Sequence, residues 1–79
     1  MKVEYSLKIN AQCPVDGKRD LYDCVIVSTS TLQVEKILAE IKDLPKAFQE
    51  EITVELARSL GAEVTTTGWH SGVKTVVTA

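Results

Sequence analysis

The chain has 79 residues, enough for one domain with a modest core, since a chain this short buries only about two-thirds of the surface its unfolded form exposes. Its 44% apolar and 25% charged residues, with Gly 4 and Pro 2, match a soluble globular protein and exclude a disordered tail, a collagen-like repeat and a disulfide scaffold. Nine Lys and Arg against eleven Asp and Glu give a net charge of −2, and Lys18–Arg19 is the one adjacent basic pair, so duplex DNA binding is not expected.

The first segment alternates Val3, Tyr5, Leu7 and Ile9 with Lys2, Glu4, Ser6 and Lys8, which predicts a half-buried strand. The same alternation lacks an apolar signal core, and no uncharged stretch approaches the ~20 apolar residues of a spanning helix. A cytoplasmic protein without a membrane partner is therefore expected. Residues 11–20, AQCPVDGKRD, carry Pro14, Asp16 and Gly17 as turn residues. The β-branched run that follows predicts a second strand over Leu21–Thr29, antiparallel to the first.

The periodicity then changes. Ser30 or Thr31 suits a helix N-cap, Ser30 with Gln33 fits a capping box, and Val34, Ile37, Leu38 and Ile41 form an apolar helical stripe to be buried as core. Leu44–Pro45 predicts the stop. A second helix is predicted over Lys46–Leu60, with Phe48, Ile52, Leu56 and Leu60 on one stripe and Gly61 ending it. The last eighteen residues hold nine Val or Thr and two charges, a strand composition broken by Gly68 and Gly72 around Trp69-His70-Ser71.

The expected fold is therefore α+β, in the order β-β-α-α-β-β: one domain over residues 1–79, a four-stranded antiparallel sheet with two helices on one face. The other face and the edges have no partner within the chain, which predicts assembly into an oligomeric barrel. A monomer of this size can hardly form both a core and an enclosed pocket of several hundred Å³, so a site shared between copies is expected.

Cys13 and Cys24 are separated by ten residues without a Cys-x-x-Cys, and His70 is the one further soft ligand. Free thiols and no structural metal site are expected. Cys13 differs from Cys24 in lying in a loop, Cys13-Pro14-Val15-Asp16-Gly17-Lys18-Arg19-Asp20. Lys18 and Arg19 would favour its thiolate, and Asp20, at the mouth of the next strand, would serve as an acid or base. The plainer reading is a loop cysteine before a Pro-Asp-Gly turn, with Asp20 making turn hydrogen bonds.

The order of elements and this loop resemble the tunnelling-fold (T-fold) enzymes of purines and pterins, in particular the 7-cyano-7-deazaguanine reductases and the QueF-like amidinotransferases that make archaeosine in tRNA. Cys13, Pro14, Gly17 and Asp20 match the Cys-Pro-x-x-Gly-x-x-Asp-like loop of those families. Phe48-Gln49-Glu50 stands where they carry Phe-His-Glu or Leu-His-Glu. The resemblance implies that Cys13 adds to a substrate nitrile as a thioimidate, that Asp20 shuttles protons, and that Glu50 anchors a purine-like ring or a modified base in tRNA. Phe48, Gln49 and His70 complete the expected substrate contacts.

The chain departs from the resemblance at three places. Thr31–Lys36 does not match the reductases' nicotinamide segment, so no NADPH is expected and amidine formation is favoured over reduction. Gln49 replaces a histidine and cannot transfer protons at neutral pH. The Gly68–Gly72 stretch replaces an Arg-Gly-Gly-type turn, with His70 either a titrating group lent by a neighbouring subunit or a solvated turn residue. Trp69 would stack on a ring at the site or plug a subunit interface. Two other readings stay open: a heterocycle-binding or structural oligomer without catalysis, and a pterin or GTP cyclohydrolase-like enzyme whose metal would have Cys13, Cys24 and His70 as ligands.

Overall fold

The computed structural model describes residues 1–44 and 46–79. Two ten-residue strands, β1 (Val3–Gln12) and β2 (Arg19–Ser28), precede two helices, α1 (Val34–Lys42) and α2 (Gln49–Leu60). Strands β3 (Glu63–His70) and β4 (Val73–Thr78) follow. Every strand pair is antiparallel, as the sequence predicts, and the sheet order is β1-β2-β3-β4. The helices are thus an excursion between two neighbouring strands. No helix among the described residues is long and apolar enough to cross a membrane.

Side chains alternate across the pleat, so one face of the sheet presents Ile9, Ala11, Tyr22, Cys24, Ile26 and Val64 to Ile37, Ile52, Leu56 and Leu60 of the helices. These residues form one buried cluster, and α2 packs on β3 and β4. The register Leu7↔Cys24, Ile9↔Tyr22 and Ala11↔Asp20 places Asp20, Tyr22 and Cys24 on the helix side. The opposite face is open and carries exposed Leu21, Trp69 and Val76. Strands β1 and β4 are the edges.

Several local expectations give way. The loop shortens to residues 13–18, because the ladder extends to the pair Gln12↔Arg19. The Ser30–Gln33 capping box does not form: α1 starts at Val34 without a side-chain cap, and Ser28 Oγ instead accepts the Ser30 N–H at 3.2 Å. The α1 stripe is only partly core, with Ile37 buried, Ile41 half-buried, and Val34 and Leu38 exposed, because this short helix packs on α2 and leaves an open recess between Val34, Leu38 and the β1 residues Tyr5 and Leu7. Pro45, invoked as the helix stop, lies outside the described residues, and α1 ends at Lys42.

Helix α2 begins at Gln49 rather than Lys46. Phe48, expected on the core stripe, is its N-cap and is half-exposed. Its side chain has no acceptor, so only half of a capping box exists, with Glu51 Oε1 accepting the Phe48 N–H at 3.1 Å. Gly61 ends α2 in the left-handed conformation, as predicted. Trp69 and His70 belong to β3, and the final turn is Ser71-Gly72 alone, with φ of 50° and 83°. Positive φ at both central residues is the two-residue turn that suits strand twist.

Candidate functional site

The loop between β1 and β2 is tied at both ends. Cys13 N–H donates to Lys18 O and Gly17 N–H donates to Cys13 O, each at 2.9 Å. Lys18 N–H donates to Asp16 Oδ1 at 2.9 Å, and Gln12 Nε2 donates to Gly17 O at 3.0 Å. The Lys18 amide is the main cause that holds the Asp16 carboxyl below its usual range, with the Cys13 thiol and the Lys18 charge adding to it. The thiol is therefore half-buried on a tied turn rather than on a loose loop.

Beside this turn lies a recess of about 220 Å³ lined by Cys13, Pro14, Asp20, Tyr22, Ala47, Phe48, Gln49, Glu50 and His70. The loop supplies Cys13 and Pro14, β2 supplies Asp20 and Tyr22, the start of α2 supplies Phe48, Gln49 and Glu50, and the end of β3 supplies His70. All six sequence-level site candidates thus share one recess. Trp69 does not line it: alternation along β3 turns Trp69 to the open face, where it is 64% exposed, while His70 turns inward.

Tyr22 is the residue the sequence reading missed. It is 2% exposed and its hydroxyl donates to Asp20 Oδ2 at 3.4 Å. Burial, followed by the charge and hydrogen bond of Asp20, pushes its phenol up to about 12, so it stays protonated and keeps its donor at neutral pH. The signal was present, because residues two apart in a strand share a face, and Asp20 and Tyr22 stand two apart. The Tyr22 ring also lies 5.9 Å from the His70 ring. Gly68, next to it on β3, is required by packing: a Cβ there would sit 2.4 Å from Tyr22 Cδ1.

Gln49 is not free to hydrogen-bond a substrate through its amide nitrogen. It is 2% exposed, and Nε2 donates to Thr75 O at 3.0 Å and to Thr66 O and Oγ1 at 3.2 Å each. Its Oε1 faces His70 Nε2 at 3.0 Å. Thr53 Oγ1 donates to Gln49 O at 2.7 Å and lies 2.6 Å from Thr66 Oγ1. Among the described residues no buried side-chain polar atom lacks a partner. His70, expected from a neighbouring subunit or in a solvated turn, is held within its own chain. The reason is the two-residue turn, which leaves it inside the ladder opposite Val73.

Glu50 is exposed in the first turn of α2, where the helix dipole favours its charge, and it faces the recess unpaired among the described residues. Cys24 is buried beneath the helices, where burial pushes its thiol up to about 11, and it is not part of the recess. Both cysteines are free. Among the described residues no three His, Cys, Asp or Glu side chains converge to hold a metal ion, so Cys13, Cys24 and His70 do not form the ligand set of the cyclohydrolase-like reading. Chemically, the recess joins a thiol, a carboxylate steadied by a phenol, an imidazole and a free carboxylate to an apolar rim of Pro14, Ala47 and Phe48.

No family model and no curated protein matches the sequence. Among solved structures, the chain is similar to the archaeosine synthase QueF-Like in its apo form, with a TM-score of 0.84 and 18% identity. The match covers 99% of this chain and 90% of the other. The likeness is one of architecture: over nearly its whole length this chain has the fold of that structure.

Proposed function

We propose that this chain acts on the nitrile of a 7-cyano-7-deazaguanine-like ring, free or as a base in tRNA, through a covalent thioimidate on Cys13. The observation that carries the reading is the joint placement of Cys13, Asp20 and Glu50 in one recess, on the fold of an archaeosine synthase. Cys13 Sγ adds to the electrophilic nitrile carbon, and the thiol proton reaches the nitrile nitrogen through Asp20. The Tyr22 hydroxyl orients that carboxylate. Glu50 accepts two hydrogen bonds from the N–H edge of the ring, which a carboxylate at a helix start is suited to do. Ammonia or a primary amine then releases an amidine, a sequence that takes no NADPH.

At about 220 Å³ the recess is smaller than the ~300 Å³ at which ligand pockets begin, which supports completion of the site by another copy of the chain. The exposed apolar residues of the open sheet face support the same reading.

Intact-protein mass spectrometry after incubation with 7-cyano-7-deazaguanine tests the proposal. The expected result is a mass gain equal to the whole nitrile, absent in Cys13→Ala and slowed in Asp20→Asn. Binding of the ring without an adduct would instead identify a heterocycle-binding protein without catalysis. Native mass spectrometry at micromolar concentration is expected to show a homo-oligomer, and a monomer there removes the shared site.

A further inference from the structure

We propose that His70 is the proton acceptor for the nitrogen nucleophile, and that Gln49 is a positioning residue that holds it in the tautomer this role needs. The inference rests on the amidine-forming reading above, and it follows from a chain of hydrogen bonds whose directions are all determined. The Thr53 hydroxyl spends its hydrogen on Gln49 O, so the Thr66 hydroxyl donates to Thr53 Oγ1 and keeps a lone pair for Gln49 Nε2. Gln49 Nε2 directs its two hydrogens at Thr75 O and at the Thr66 oxygens. Turning the amide over would set Oε1 against two backbone carbonyls in a buried place, so the orientation is unambiguous.

Gln49 Oε1 therefore faces His70 and can only accept. The nitrogen it meets, Nε2, must carry the hydrogen, and the ring's other nitrogen, Nδ1, is left as its acceptor. A neutral imidazole with its one donor committed and its other nitrogen left as a free acceptor is the form that takes a proton. It shares the recess with the titratable groups Cys13, Asp20, Tyr22 and Glu50. His70 is the last residue of β3 before a two-residue turn, so its backbone is held by the ladder.

In the second half of the reaction the nucleophile adds to the thioimidate carbon, forming the C–N bond while the C=N electron pair moves to nitrogen. The nucleophile's proton passes to His70 Nδ1. The electron pair returns, the C–S bond breaks, and Cys13 Sγ leaves with its pair and takes the proton from His70. Thioimidate and ammonia become amidine and thiol, with the imidazole restored.

The chain has one histidine, so its ring signals need no assignment. A long-range 1H–15N correlation spectrum of uniformly labelled protein, at a pH where the ring is neutral, is expected to show Nε2 protonated and Nδ1 bare. An Nδ1-protonated ring, or rapid averaging of both tautomers, overturns the Gln49 lock. Gln49→Leu is expected to abolish the preference; if that variant fails to fold, the wild-type spectrum still decides. His70→Asn is expected still to form the Cys13 adduct but, once it is formed, to release it to ammonium about 100-fold more slowly than wild type. Unchanged release overturns the role of His70. A wild type that forms no adduct overturns the thioimidate reading and His70's part in it, while the tautomer is still decided by the spectrum.

Discussion

Gly68→Ala isolates one packing constraint that ties the fold to the recess. The new methyl carbon would lie 2.4 Å from Cδ1 and 2.7 Å from Cε1 of Tyr22. Ordinary carbon contacts lie at about 3.5–4.0 Å, so the ring or the strand must yield by about 1 Å. The ring has little room to yield, being 2% exposed and facing His70. Gly68 is not in the left-handed region, so the cost is one of contact and not of backbone conformation. Overpacking costs about 1–3 kcal/mol, and this contact belongs at the upper end, about 2–3 kcal/mol. For a chain of this length that is a large part of a total stability of about 4–12 kcal/mol.

Urea denaturation followed by circular dichroism, at fixed protein concentration, should show a lower midpoint with an unchanged slope. The Tm should fall by about 10–20 °C. The contact also specifies its own rescue. Tyr22→Phe keeps both clashing ring atoms, so Gly68→Ala should cost as much in that background as in wild type. Tyr22→Val removes them, and there the same change should cost less than about 1 kcal/mol. A neutral Gly68→Ala, or equal costs in the Phe and Val backgrounds, would refute the reasoning.

Thr53→Val leaves the buried Thr66 hydroxyl without its acceptor and should cost about 1–3 kcal/mol by urea denaturation, although the two side chains have nearly the same shape. In native protein a thiol reagent should label Cys13 alone, and Cys24 only on unfolding, because Cys24 is 1% exposed. Burial raises the folded-state values of Cys24 from 9.0 to about 11 and of Tyr22 from 10.0 to about 12, so the folded chain holds these protons more tightly. The stability they contribute is complete below pH ~9 and is lost as pH rises to ~12, by about 2–3 kcal/mol for each group; urea midpoints measured across that range should fall, with Cys24→Ala flattening the lower part.

The site was legible where a residue's role depends on local chemistry. A cysteine in a Pro-Asp-Gly turn and an aspartate at a strand mouth could be named before any packing was known, Glu50 was named only through its place in the resemblance, and all three share one recess. Phe48 and Gln49 show the limit of that reading. Helical spacing put Phe48 on the core stripe and the resemblance made Gln49 a substrate contact, yet Phe48 caps α2 at the rim while Gln49 is buried in a network with Thr66 and Thr75. Those two threonines lie in the final hairpin, and no local pattern links them to α2. Tyr22 went unnoticed because an aromatic in an apolar strand reads as core, which it also is.

By itself the sequence determined the order of elements, since a period of two, then of about 3.6, then of two again is written in side-chain hydrophobicity along the chain. It also determined the tight turn at Cys13, where Pro14, Asp16 and Gly17 act within a few residues of one another, and the end of α2 at Gly61. Only the tertiary structure decided how far each strand runs, because a ladder continues while a partner strand offers hydrogen bonds, whatever the turn residues signal. That extension took Trp69 and His70 out of a loop and into β3, and strict alternation then sent them to opposite faces of the sheet. The identity of the recess as a place where thiol, carboxylates, phenol and imidazole meet is likewise a tertiary fact. Its walls come from three regions far apart in the chain, the β1–β2 hairpin, the start of α2 and the end of β3, brought together by burial of one apolar face.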